Sequence, residues 1–116
     1  MTTIALICGW LATALLAYMA LLFWRDPENG LKQTTHKIEN LPLVLANRYT
    51  AFAILGAVIL IDGNLTLLAV FFAVSALMGL ADGWNYARSN LPHIKHTMSG
   101  VLALIALVIT LIARAS

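Results

Sequence analysis

Ala57-Val58-Ile59-Leu60-Ile61-Asp62-Gly63-Asn64-Leu65-Thr66-Leu67-Leu68-Ala69-Val70 is the stretch that decides the fold. Two apolar runs meet across three turn-forming residues, and Asp62-Gly63-Asn64 is too short a connection for anything but an antiparallel helical hairpin. Read backward, the first run reaches Leu41, with Asn40 as the expected N-cap and Pro42 tolerated in the first turn. Read forward, the second runs to about Arg88. Each supplies the roughly 20 residues that a helix needs to cross the hydrocarbon core of a bilayer.

The same length of apolar chain recurs on either side of this hairpin. Ile4 to Trp24 contains no charge, and Pro92 to about Ala113 makes a fourth span with His93, Lys95 and His96 in its first turns. Met1-Thr2-Thr3 has no basic residue and no small-x-small cleavage signal follows, so the first span is expected to be a retained helix rather than a secretory leader. The spans expected are therefore 4–24, 41–61, 65–88 and 92–113, joined by a polar loop from Arg25 to Asn40, the 62–64 turn and a short loop at 89–91. Together they imply one all-α domain over residues 1–116, an integral membrane four-helix bundle running up-down-up-down.

Composition agrees. The chain has 116 residues, of which 61% are hydrophobic and 10% charged, with a mean hydropathy of +0.88. Soluble domains carry about a quarter charged residues. These values exclude disorder, disulfide scaffolds and secreted enzymes. Cys8 is the only cysteine, so no intrachain disulfide and no Cys-rich metal site can form. The net charge of +2 belongs to the basic loops of a membrane protein, and no nucleic-acid partner is expected.

Arg25, Lys32, Lys37, Arg48, Arg88 and Lys95 fall toward one side, against Arg114 alone on the other. The positive-inside rule then puts the two larger connections in the cytoplasm and both termini outside, in a membrane expected to be a bacterial inner membrane. Trp24, Tyr49, Trp84 and Tyr86 form the inner aromatic belt, with Trp10 nearer the outer boundary. Small residues line one face of each span: Gly9, Thr13 and Ala17; Ala46, Thr50, Ala53 and Ala57; Ala69, Ala73 and Ala76; Ser99, Ala103, Ala106 and Thr110. Close backbone approach through such stripes drives helix association in lipid. They serve equally a bundle, a homo-oligomer or a larger membrane complex. Asn40-Leu41-Pro42 and Asn90-Leu91-Pro92 repeat one tripeptide, which shared helix-start chemistry explains better than duplication.

Ionisable groups inside spans cost about 2.5–3.5 kcal/mol at the centre on insertion scales, so each asks for a partner or a purpose. Arg48 and Asp82 lie at comparable depths and are expected to meet in a polar pocket with Asn47, Asn85, Tyr86 and His96, either as a structural ion pair or as a ligand-binding site. His93 and His96 lie one turn apart and His36 sits in the facing loop. Three imidazoles with Asp82 or Glu39 would suit a metal, and solvated interfacial histidines are the simpler reading. No cofactor is expected, with metal or haem as the alternative. No Gly-x-Ser-x-Gly elbow surrounds Ser75, Ser89 or Ser99, and no catalytic residue can be named.

Arg25-Asp26 closing the first span, Gly30-Leu31 after it, Asp82 late in the third span and His96 early in the fourth resemble a pattern in small bacterial four-helix membrane proteins of unknown function. The resemblance implies the topology and no activity. The sequence thus points to a membrane protein binding a small or lipid-like ligand, with a membrane-embedded, metal-assisted enzyme acting through His36, His93 and His96, or an accessory subunit, as the alternatives.

Overall fold

The computed structural model describes residues 2–116. Every regular element in them is helical: α1 (Thr2–Arg25), α2 (Pro27–Gln33), a 3₁₀ turn (Ile38–Asn40), α3 (Leu41–Asp62), α4 (Leu65–Arg88) and α5 (Ile94–Ala115). Four of these segments, Thr2–Arg25, Ile38–Asp62, Leu65–Arg88 and Ile94–Ala115, are long and apolar enough to cross a membrane. The chain divides into two compact units, Met1–Arg48 and Tyr49–Ser116.

In the first unit, α1 is apolar on every face and buries none of its residues, as suits a helix whose solvent is lipid. The expected 25–40 loop is not all loop. Asp26 caps α2 by accepting a hydrogen bond from the Asn29 amide at 3.2 Å, and Pro27 fills the first helical position, where its missing N–H costs nothing. The short helix turns back on α1: the Phe23 ring covers Gly30, 2.9 Å from where a Cβ would stand, and the Tyr18 hydroxyl donates to Gln33 Oε1 at 3.3 Å. A Schellman closure ends α2, with the His36 amide bonded to Leu31 O and the Thr35 amide to Lys32 O. This forces Thr35 into the left-handed region at φ 58°.

The second unit is organised by the α4–α5 hairpin. Asn64 caps α4, its Oδ1 accepting from the amides of Thr66 and Leu67 at 3.0 and 3.1 Å, while Gly63 takes the φ of +76° that the turn demands. At the far end Leu91 N bonds Tyr86 O and Asn90 N bonds Ala87 O, again a Schellman closure with Asn90 left-handed at φ 57°. Two expectations are corrected here. α5 starts at Ile94 rather than Pro92, because His93 takes the N-cap position with a non-helical φ of −121°. The repeated tripeptide also plays two roles, since Asn40 is no side-chain cap but closes the 3₁₀ turn leading into α3.

α4 and α5 meet along a seam of small residues. Ala69 and Ala76 are only 7% and 4% exposed and Thr110 6%, and Gly79, Gly83 and Gly100 are buried with them. The approach is closest at the glycines: a Cβ on Gly79 would stand 2.5 Å from Gly100 N, and one on Gly83 would collide with the Thr97 hydroxyl. The register holds along the whole hairpin, for at the other end Arg114 Nε donates to Thr66 Oγ1 at 2.9 Å. The buried Thr110 hydroxyl donates to Ala106 O at 2.7 Å, which satisfies it inside its own helix. Part of α3 joins this unit through side chains instead of backbone, Phe52 and Phe71 lying 6.1 Å apart and the Phe71 ring filling the space over Gly56.

The stripe expected on α1 is not a seam within its unit. Gly9, Thr13 and Ala17 are all exposed, and the Thr13 hydroxyl donates to Gly9 O at 2.8 Å. In α4 the contact face differs from the alanine stripe read from the sequence: Ala73 is exposed, and Gly79 and Gly83 extend the seam toward the C-terminus.

Candidate functional cleft

Because α3 contacts α4 through rings and α4 contacts α5 through glycines, the three helices are unevenly spaced in the second unit. A cleft of about 410 Å³ opens where the rings hold α3 off. Tyr49, Phe52, Ala53 and Phe71 give it an apolar and aromatic side, which Met78 and Gly79 of α4 continue. Its polar side is made by Asp82 from α4 and by Lys95, His96 and Ser99 from α5.

Helical periodicity sets this polar group. Lys95 and Ser99 are four residues apart and His96 and Ser99 three, so all three share one face of α5. Asp82 lies six residues before the end of α4, about 9 Å in at the helical rise. The seam glycines at 79 and 83 on either side bring its backbone close to α5. His96 is oriented by a parallel stack on Tyr86, with centroids 4.6 Å apart and planes 10° from parallel. Ser75 Oγ donates to Phe71 O at 2.8 Å, so its hydroxyl is occupied within α4.

Of the residues singled out from the sequence, Asp82 and His96 line this cleft and Tyr86 supports His96. Asn85 is exposed outside the lining. Asn47 and Arg48 belong to the first unit, where both are exposed. Among the metal candidates, His36 sits in that first unit with its Nδ1 2.7 Å from the Thr34 hydroxyl. His93 Nδ1 lies 3.1 Å from Thr97 Oγ1, and His96 faces Tyr86. Among the described residues no three His, Cys, Asp or Glu side chains converge into a group able to hold a metal ion.

Sequence reasoning missed Lys95 and Ser99 as members of the site, although their spacing with His96 was available. It also missed Tyr49, Phe52 and Phe71 as its apolar wall. That wall depends on how far α3 stands from α4, which no spacing within one helix reveals.

Fold and composition together define an all-α integral membrane protein with helices enough for four spans. No family model, curated protein or solved structure matches the chain.

Proposed function

We propose that the protein is a non-enzymatic, four-span membrane protein whose cleft binds a small amphiphilic, lipid-like ligand from the cytoplasmic side of the membrane. The observation that carries this reading is the cleft's division: aromatic rings on α3 and α4 face a polar group from Asp82, Lys95 and His96. A pocket with an apolar wall and a few convergent polar groups is the usual build of a small-molecule site, and 410 Å³ is within the size range of such sites. The orientation rests on the excess of Lys and Arg beside the 25–40 and 89–91 connections.

The test is thermal unfolding of the purified protein in an uncharged detergent, with single-chain phospholipids titrated in. Binding to the folded state raises stability by about 2.7 kcal/mol at a hundredfold excess over Kd, so a saturable rise in Tm is expected. Ser99→Trp, which fills the cleft from an exposed position, removes that rise without lowering the Tm of the free protein. No saturable rise with any single-chain lipid, or an equal rise in Ser99→Trp, overturns the reading.

A further inference from the structure

Asp82 and Lys95 line the same cleft with opposite charges, yet neither is engaged by any salt bridge or side-chain hydrogen bond among the described residues. In a chain whose surroundings are largely lipid, both charges need compensation, and their own pairing is the obvious way to supply it. They do not pair in the structure. Asp82 stands between the seam glycines Gly79 and Gly83 of α4, and Lys95 in the first turn of α5 next to His96, which is stacked on Tyr86.

A ligand that carries both signs neutralises both residues at once. We infer that the cleft selects a zwitterionic head: a primary ammonium against the Asp82 carboxylate and a phosphate against the Lys95 ammonium, with His96 as a second donor to the phosphate and the Phe52 and Phe71 rings against the apolar part. The inference rests on the amphiphile-binding reading and narrows it to one head-group chemistry. An anionic head would satisfy Lys95 and repel Asp82, and a cationic one would do the reverse. Phosphoethanolamine is the shared chemistry, whether it arrives as the head of a membrane lipid or as a free soluble molecule.

The experiment compares three probes on the full chain in uncharged detergent: lysophosphatidylethanolamine, lysophosphatidylglycerol and soluble phosphoethanolamine. Wild type is expected to bind the first about tenfold more tightly than the second, the scale of one close charge pair. Asp82→Asn abolishes that preference by weakening the ethanolamine lipid and relieving the repulsion of the glycerol lipid, and Lys95→Gln weakens both lipids. Because preference is a ratio within one variant, loss of folded protein does not imitate it. Soluble phosphoethanolamine binding as tightly as its lysolipid assigns the site to a free metabolite of that class, and weaker binding assigns it to a lipid. Both lysolipids binding equally well, with Asp82→Asn leaving their ratio unchanged, overturns the zwitterion while keeping an amphiphile site. Failure of both lysolipids and of the soluble probe to bind wild type overturns the underlying reading as well.

Discussion

At the scale of single residues the glycines of this chain divide by what surrounds them. A Cβ on Gly79 meets the backbone of Gly100 at 2.5 and 2.7 Å, and backbone cannot turn aside as a side chain can. Gly30 also faces contacts near 3 Å, but from the Phe23 ring, which can rotate. Gly9 meets nothing within 4 Å. The same substitution should therefore give different results at these sites. Gly79→Ala forces α4 and α5 apart and is expected to destabilise by about 1–3 kcal/mol, the range for overpacking. Gly9→Ala is expected to be neutral or slightly stabilising, since alanine is the better helix former by up to ~1 kcal/mol. Reversible unfolding in mixed detergent micelles measures both. Equal effects at the two positions would contradict the close α4–α5 approach.

At the scale of elements, the helix ends carry stability that can be assigned to single side chains. Asn64 satisfies two amides that α4 would otherwise leave open, and loss of such a cap costs about 0.5–2 kcal/mol. Asn64→Ala should accordingly fray the first turn of α4, seen as faster amide exchange at Thr66 and Leu67 with no change near Gly83. Uniformly faster exchange along α4 would show that the cap acts on the whole helix instead. The elements also show what a sequence does and does not disclose. The four long helices were legible because a membrane requires unbroken apolar length, and α4 ends at Arg88, close to where its apolar run was expected to stop. The start of α5 was less legible, because Pro92 is a familiar helix opener while the non-helical backbone of His93 is visible only once the chain is traced. α2 escaped notice as a seven-residue helix with no hydrophobic period, although Asp26-Pro27 carried its start signal. The seam was half read: alanines drew attention, while Gly79-Leu80-Ala81-Asp82-Gly83 is a small-xxx-small motif in which the pocket's carboxylate is embedded. Asp82 and His96 stood out as ionisable groups in apolar helices, but the cleft's aromatic wall is a product of helix spacing.

At the scale of the whole molecule, large apolar residues face outward along every long helix, Trp10 at 74% and Ile61 at 87% exposed. The interior of the α4–α5 hairpin is instead made of small residues. This is the reverse of a soluble core and fits a protein whose surface is solvated by lipid. Such a surface says nothing about which way the chain points, so orientation has to come from charge. Six of the seven Lys and Arg residues lie near the 25–40 and 89–91 connections or in the helix turns next to them, and the Asp62-Gly63-Asn64 turn has none. The same end of the second unit carries Asp82, Lys95 and His96, so orientation and site access are one question. A phosphatase that folds only outside the cytoplasm, fused after Ser116, is expected to be active, and one inserted between Lys37 and Ile38 inactive. A reporter that works only in the cytoplasm should give the opposite pair. If the pattern is inverted, the cleft opens to the exterior and its ligand has to come from the outer leaflet or the medium, which changes the source of the ligand without changing the chemistry that recognises it. Mixed activity at both fusion points would mean that six charges against one are not enough to fix the insertion of this chain, and the cleft would then be presented to both leaflets.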